Sequence, residues 1–327
     1  MNSHDGQTLG VVVARGTRSA IHAYGHGAVI KVPHQSTPAE WILAEANYSE
    51  AARAVGAPVP RLLGIEPIAG RPASVWERIE GTSMWEQIVQ RPARSAALGR
   101  ALADIQLDLF QLVPPVTLPS QRDRLVSKVR ISAATVDPAL ARALDVLPPR
   151  AGPPRLCHGD LHPSNVILSP KGPVIVDWFD ASCGDAVADV ARTYLTLLGD
   201  GAAAPRHLPG SDGRMLALLT EAYLARLRAP LDIDDELLAC WQAVQAVARM
   251  SEGVARDVLL DVWSQFDERV QAAAASRTAD QSSSNTAPVA AMTRSPFSGH
   301  GSTTRAPASR AINAPAARSQ SSVSRWK

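Results

Sequence analysis

The sequence predicts an α+β fold, with a small antiparallel sheet and one helix over residues 1–80 and a larger, mostly helical region over 81–274. Three observations carry this. Before residue 80 the apolar residues come in short β-branched runs separated by Gly-, Pro- and Ser-containing turns. After Ser83 they recur at helical spacing instead. A single strand–turn–strand pattern, Val166-Ile167-Leu168 and Val174-Ile175-Val176 around Ser169-Pro170-Lys171-Gly172, interrupts the helical region.

Taken in order, Leu9 to Arg15 reads as a strand, Gly16 to Ser19 as a turn, Ala20 to Tyr24 as a strand and Ala28 to Val32 as another. Pro38 to Val55 reads as a helix with Thr37 as N-cap and Trp41, Ala44, Tyr48, Ala51 and Val55 along its apolar stripe. Glu45 lies one turn beyond Trp41, beside that stripe, and a carboxylate near a buried face needs a partner. Lys31 is the natural one, with Glu40 the other carboxylate to consider and a solvated surface pair the plainer alternative. Only four of the 33 basic residues are lysines, so a Lys inside Val29-Ile30-Lys31-Val32 suggests that an ammonium is wanted there.

Arg61 to Ile65 and Ser74 to Ile79 complete the strands of the first region. Leu98, Leu102, Ile105, Leu109 and Leu112 then mark a helix with a buried stripe, ended by Pro114 and Pro115. Arg122 to Ser132 and Pro138 to Leu147 read as shorter helices, and Asp189 opens another through Leu198. Asp185 or Asp189 is placed to tie that helix to the loop before Val166, or either serves as an ordinary N-terminal acid. Gly199 to Gly213 reads as a loop. Stripes through Met215, Leu218, Tyr223 and Leu227, through Leu237, Trp241, Val244 and Ala248, and through Val254, Val258, Val262 and Phe266 close the helical region. The acidic run Asp232, Asp234, Asp235 and Glu236 reads first as a solvated helix N-terminus and second as an attraction for a cationic ligand.

The chemistry concentrates between His158 and Asp177. Pairing Leu168 with Val174 would set Asn165 opposite Asp177 at the open end of the hairpin, with Cβ atoms roughly 4.5–5.5 Å apart. An amide oxygen and a carboxylate at that spacing make a hard oxygen site suited to magnesium carrying phosphates. Asp160, in the loop entering the same end, could accept a proton from a substrate hydroxyl. A hydrolase built on a transition metal is the rival reading, because His158, Asp160 and His162 are ligand types, but beyond them only His207 and His300 remain. The bland reading makes Asp160 a turn former and Asn165 a cap.

An Asp followed five residues later by Asn, then by an Asp after the next hairpin, is the kinase catalytic-loop spacing. With His158-Gly159-Asp160 and Asp177-Trp178-Phe179-Asp180, this chain resembles the aminoglycoside phosphotransferase and choline kinase-like family of small-molecule kinases. The resemblance spans the body of the chain. It implies a protein-kinase-like bilobal fold, with residues 1–80 as the nucleotide-binding lobe and 81–274 as the catalytic and acceptor-binding lobe. It further implies transfer of a phosphoryl group from ATP, or GTP, to a hydroxyl of a small molecule, with Asp160 as base, Asn165 and Asp177 on Mg2+, and Lys31 on the nucleotide phosphates, steadied by Glu45. Gly16 to Ser19 is the candidate phosphate loop, although the full glycine-rich pattern is missing, and the stretch from Glu77 through Ile79 to Glu80 would offer backbone groups to adenine. Gly159 stands where protein kinases can use an Arg to hold a phosphorylated loop, which implies a constitutively assembled site. A nucleotide-binding pseudokinase acting as sensor or scaffold is the alternative.

The composition suits an intracellular protein. No apolar run approaches a membrane span, and the start lacks the features of a secretory signal. Three cysteines, Cys157, Cys183 and Cys240, have no metal-type spacing and suit the reduced thiols of a cytoplasmic protein, with Cys157 a small buried filler. From Ser276 to Lys327 there are six Arg and one Lys against one Asp, a net +6, so the rest of the chain carries −4 of the formal total of +2. A mildly acidic body argues against nucleic-acid binding. The Ser-, Ala- and Pro-rich segment 275–327 is expected to be disordered, and the folded part to be a monomer or homodimer without membrane attachment.

Overall fold

The computed structural model describes residues 9–149, 152–198, 213–252 and 256–268. The expected tail and most of the expected Gly199–Gly213 loop lie outside these residues, as do His207 and His300.

β1 (Val12–Arg15), β2 (Ser19–Ala23), β3 (Ala28–Pro33), β4 (Leu62–Ile68) and β5 (Arg71–Glu77) form a five-stranded antiparallel sheet in the order β1-β2-β3-β5-β4. Helix α1 (Ala39–Ala54) joins β3 to β4. The sheet has a small core of its own, Tyr24, Ala28, Ile30, Ala73 and Val75, separate from the large cluster that fills the helical part. Two cores joined by a short connection make the fold bilobal, as expected of a kinase-like chain.

The helical lobe contains α2 (Met84–Gln90), α3 (Ser95–Gln111), α4 (Gln121–Thr135), α5 (Ala186–Leu198), α6 (Gly213–Arg228), α7 (Asp235–Met250) and α8 (257–268). Ser83 starts α2 with a capping box, its hydroxyl accepting the Glu86 amide while Glu86 reaches back. Pro138–Leu144 is a 3-10 turn where an α-helix was expected. Short strands fill the space in front of α5: β6 (Thr82–Ser83), β8 (Val166–Ser169) and β9 (Gly172–Ile175) make one sheet, and β7 (Arg155–Cys157) pairs with β10 (Ser182–Gly184). Among the described residues no helix is long and apolar enough to cross a membrane.

Several expectations need correction. In the β8–β9 hairpin Leu168 pairs with Pro173 and Ile167 with Val174, because Ser169 faces Gly172 across a two-residue turn. Continuing that register places Val176, not Asp177, opposite Asn165, and the Val176 amide donates to the Asn165 carbonyl at 3.0 Å. On α1 the buried residues are Ile42, Glu45, Ala46, Ser49 and Ala52, whereas Trp41 is 37% exposed. Thr37 does not cap α1; its hydroxyl donates to the Arg18 carbonyl at 2.6 Å, and the N-cap position is Pro38. The stripes on α6 and α7 hold at Met215, Tyr223, Leu227, Trp241, Val244 and Ala248, all buried, with Leu219 and Leu238 more buried than the expected Leu218 and Leu237. On α8 Phe266 is buried as expected together with Leu259 and Trp263, Val258 and Val262 are half-buried, and Val254 lies outside the described residues. In the acidic run, Asp234 caps α7 by accepting the Leu237 amide and Asp235 pairs with Arg228 at 2.6 Å, so both carboxylates serve the helix end.

Candidate active site

His158 anchors the loop that carries Asp160. Its ring is fully buried, lies edge-on to Trp178 at 4.7 Å between centroids, and accepts the Asp160 amide at Nδ1 (3.2 Å). That leaves Nε2 to carry the proton and donate to the Val176 carbonyl at 3.1 Å. Both nitrogens are thus committed to backbone, which removes His158 as a metal ligand. The next residue explains the His-Gly-Asp pattern. Gly159 has φ +80°, and a Cβ there would sit 2.2 Å from the Asp180 carbonyl oxygen, so no side chain fits. Its amide donates to Asp189 Oδ1 at 2.8 Å, and Gln106 donates to Asp189 Oδ2 at 2.8 Å. Asp189, not Asp185, therefore ties α5 to this loop; Asp185 accepts the Val187 amide at the start of the helix.

Asp160 sits above these contacts with 27% of its side chain exposed. Arg192, two turns into α5, brings Nε and Nη2 to Asp160 Oδ1 at 3.3 and 3.1 Å. Burial works to raise the Asp160 pKa, but the charges of Arg192, His162 and Arg249 outweigh it and hold the carboxyl well below its usual range. The group is ionised throughout the neutral range.

Asp177 ends the hairpin in the left-handed region, φ 65° and ψ 63°, a strained setting for a non-glycine residue. The buried Trp178 that follows pins the turn, its indole N–H donating to the Ile175 carbonyl at 2.9 Å. The turn leaves the Asp177 side chain 48% exposed with Oδ1 3.0 Å from Lys31 Nζ. Lys31 rises from β3 and also holds Glu45 of α1, at 2.6 and 2.8 Å to its two oxygens. Glu40, the other carboxylate weighed for Lys31, lies in the first turn of α1, and it is Glu45 that takes the ammonium.

One ammonium thus serves two carboxylates. Burial lowers the Lys31 pKa, but Asp177 and Glu45 together raise it above the ordinary value. Asp177 is lowered by Lys31, while burial and the repulsion of Asp177 push Glu45 up. The cluster is short of positive charge. Asn165 supplies a further oxygen donor type: its amide nitrogen donates to the Asp160 carbonyl at 3.0 Å, which orients the side chain and leaves Oδ1 as its acceptor atom. An open carboxylate, an amide oxygen and an uncompensated negative charge fit Mg2+, which keeps several waters and takes phosphate oxygens. Among the described residues there is no cluster of three or more His, Cys, Asp or Glu placed to hold a metal, the arrangement that the transition-metal reading required.

The remaining expected positions are less direct. The Gly16 amide closes the turn onto the Ser19 carbonyl at 2.9 Å, and Ser19 is buried in β2, so the Gly16 amide and the Ser19 side chain are not turned out of the sheet, and Thr17 and Arg18 lie between them in the turn. The turn is held from the β3 side by His34, through its amide to Arg18 O and its ring to Gly16 O. Glu77 ends β5 and accepts the Arg61 amide at 2.8 Å. Arg78 donates its amide to Gly27 O, after which Ile79 and Glu80 lead to Gly81, whose φ of +151° and close approach to the Leu168 carbonyl admit no Cβ.

Residues 18–208 match the sequence pattern of the phosphotransferase enzyme family (APH). The chain belongs to that family. No curated protein sequence matches this phosphotransferase-family chain. Among solved structures it is similar to an aminoglycoside-3'-phosphotransferase of type VIII, at 22% identity over 74% of this chain and 94% of that one, with a TM-score of 0.51. It is also similar to a thermostable mutant of aminoglycoside phosphotransferase APH(4)-Ia in a ternary complex with AMP-PNP and hygromycin B, at 14% identity over 83% of this chain and 94% of that one, with a TM-score of 0.55. At these identities the likeness establishes the fold.

Sequence reasoning missed a set of charged residues in this phosphotransferase fold. Glu252 accepts from Arg192 Nη1 at 3.0 Å and from Lys128 Nζ at 2.7 Å, and Lys128 also donates to Asp180 at 2.9 Å. A second group surrounds Phe179, whose ring lies 5.1 Å from Trp41, with the Arg18 guanidinium 4.9 Å from its centroid and that of Arg124 5.8 Å from it. One signal was available: Lys128 is another of the four lysines in an Arg-rich chain, the same rarity that singled out Lys31.

Proposed function

We propose that this chain is a cytoplasmic small-molecule kinase that moves the γ-phosphoryl group of ATP, or GTP, to a hydroxyl of its acceptor, with residues 1–80 binding the nucleotide and 81–274 supplying the catalytic loop and acceptor site. The observation that carries the reading is the convergence of Asp160, Asn165 and the Lys31–Asp177 pair at one end of the β8–β9 hairpin. Mg2+ held by Asp177 and Asn165 would neutralise charge on the nucleotide phosphates. Lys31, kept in place by Glu45, turns from Asp177 toward those phosphates as the nucleotide enters, and Thr17 and Arg18 cover them from the sheet. The backbone around Glu77 and Ile79 receives the base. The two aminoglycoside phosphotransferases above share the fold, so aminoglycosides belong among the acceptors tested first.

Asp160 orients the acceptor hydroxyl. Its carboxylate is so stabilised by Arg192 that it is a weak base toward a ground-state alcohol. The proton therefore passes to it late, as the oxygen–phosphorus bond forms and the hydroxyl becomes acidic, which suits a loose phosphoryl-transfer transition state. Catalysis then comes from positioning and charge neutralisation.

The test is nucleotide consumption by the purified chain with magnesium across a panel of hydroxyl-bearing metabolites and antibiotics, with Asp160→Ala alongside. Acceptor-dependent turnover that disappears in the variant is the expected result. Near-normal turnover by Asp160→Ala refutes the base assignment, and a protein that fails to bind ATP or GTP refutes the whole reading.

A further inference from the structure

We propose that Arg192 is a positioning residue for phosphoryl transfer: it fixes one oxygen of Asp160 so that the other is presented to the acceptor, and a partly buried charge relay through Glu252 and Lys128 ties that setting to the turn carrying Asp177. The inference rests on the phosphotransferase reading above.

The geometry of the Arg192–Asp160 contact is the first argument. A guanidinium and a carboxylate that pair only for stability favour two parallel hydrogen bonds, one to each oxygen. Here both Nε and Nη2 converge on Oδ1, at 3.3 and 3.1 Å. Against Oδ2 lies His162 Nε2, at 3.8 Å, beyond a direct hydrogen bond. Arg192 holds one oxygen and leaves the other outside its fork, facing His162. Asp160 is 27% exposed at its side chain and Arg192 only 6%, so the carboxylate can meet an acceptor while its holder stays out of reach.

The second argument is where the arginine itself is held. Its terminal edge, which shares Nη2 with the Asp160 contact, meets Glu252, at 3.0 Å from Nη1 to Oε1 and 2.9 Å from Nη2 to Oε2, which is the parallel geometry absent on the Asp160 side. Glu252 Oε1 also accepts from Lys128 of α4 at 2.7 Å, and Lys128 reaches Asp180 Oδ1 at 2.9 Å. Asp180 stands three residues after Asp177 in the same turn, and Arg124 holds that turn through the Phe179 carbonyl at 3.1 Å. The relay therefore runs from the base to the metal turn through side chains from α5, the end of α7 and α4. Charges on three elements, Arg192 and Glu252 buried and Lys128 partly so, hold one another in place, because moving Arg192 or Glu252 leaves the other's buried charge unpaired.

The third argument is the face of α5. Asp189 and Arg192 are three residues apart and point to the same side. One holds the backbone of Gly159, the other the side chain of Asp160. Two consecutive residues of the loop are thus set from one helix, by groups that are themselves buried.

The experiment compares the full chain with Arg192→Lys, Arg192→Met and Arg192→Met/Glu252→Met, measuring kcat and KM for ATP with the acceptor found in the panel, the Kd for magnesium–ATP and Tm. Arg228→Met, which breaks the exposed pair with Asp235, is the control. For Arg192→Met, kcat is expected to fall about a hundredfold, the effect of a small misplacement of a reacting group, while the ATP constants stay within about twofold. Arg192→Lys recovers part of the rate, because one ammonium still reaches Oδ1 without the fork. The double variant regains the Tm lost in Arg192→Met, having no unpaired buried glutamate, yet stays slow. Recovery of kcat together with Tm in the double variant would make Arg192 merely structural and overturn the inference, as would a kcat for Arg192→Met near that of the full chain. A wild-type chain that binds ATP but transfers to no acceptor overturns the proposed function instead, and leaves Arg192 no reaction to position.

Discussion

Two cations divide the site between them, and each bridges a buried carboxylate and an open one. Lys31 lies between Glu45, 8% exposed, and Asp177, 48% exposed; Arg192 lies between Glu252, 9% exposed, and Asp160, 27% exposed. In both, the glutamate is the more buried partner and the aspartate the more open one, the group that would face the reaction on the proposed function. The difference is in the cation. An ammonium on a flexible stem can exchange one partner for another, whereas a planar guanidinium holds its partners in one geometry. On the proposed function, the nucleotide side is thus built to change partners when phosphate and metal arrive, and the acceptor side to stay fixed.

The sharpest break in that symmetry is the open aspartate itself. Asp160→Asn keeps the hydrogen bonds from Arg192 on one oxygen but cannot take a proton, and turnover is expected to fall about a thousandfold. Nucleotide affinity, read by calorimetry with magnesium, should be unchanged; a matching loss of affinity would place Asp160 on the nucleotide side. Next in size is an exchange of cation chemistry. Lys31→Arg preserves charge but substitutes a fixed fork for a mobile ammonium, so kcat/KM for ATP is expected to drop about tenfold or more with little change in Tm. Full activity in that variant would remove the distinction between an exchanging and a fixed cation.

Glu252 tests the fixed side without any chemistry. Burial works to raise its pKa, but Arg192 and Lys128 bring it down from 4.5 to about 2. A carboxyl depressed in the folded state adds stability that is complete above its unfolded pKa and is lost as pH falls through its folded one. The advantage of the native chain over Glu252→Gln should therefore be on the order of 3 kcal/mol at neutral pH, and shrink between pH 5 and about 2. Thermal melts of the two proteins across that range measure it. A gap that does not change with pH would mean that Glu252 contributes by packing and not by charge.

The legibility of the two halves follows their chemistry. Asp160, Asn165 and Asp177 lie within one loop and hairpin, so spacing alone brought them together, and the rarity of lysine pointed to Lys31. Glu45 was within reach because the period of a helix limits which carboxylate can turn inward. The relay behind Asp160 spans Lys128, Asp180, Arg192 and Glu252, whose contacts cross up to 124 residues of sequence, and no local period connects them. Faces were misread where residues were small or the register was tight. α1 is rich in alanine and carries Trp41 outward, while Glu45 joins Ile42, Ala46 and Ala52 on the buried face and meets Lys31 there. The hairpin slipped by one position because a two-residue turn replaced the wider one assumed, and one residue reverses every side chain on a strand.

Trp41's outward position has a use that supplies the smallest test. The Arg18 guanidinium lies 5.1 Å from the Trp41 centroid and 4.9 Å from that of Phe179, so the β1–β2 turn rests on a pair of rings, one on α1 and the other two residues after Asp177. Cation–π contacts at partly exposed positions are worth about 0.5–1 kcal/mol each. Arg18→Ala should therefore raise KM for ATP by about two- to fivefold. Arg18→Lys keeps a cation over the rings and should restore most of the affinity. The turn belongs to the exchanging side of the site, so kcat at saturating nucleotide should hardly change. A fall in kcat instead would mean that the β1–β2 turn reaches the transferred phosphoryl group, and the fixed and exchanging halves would then meet over the γ-phosphate.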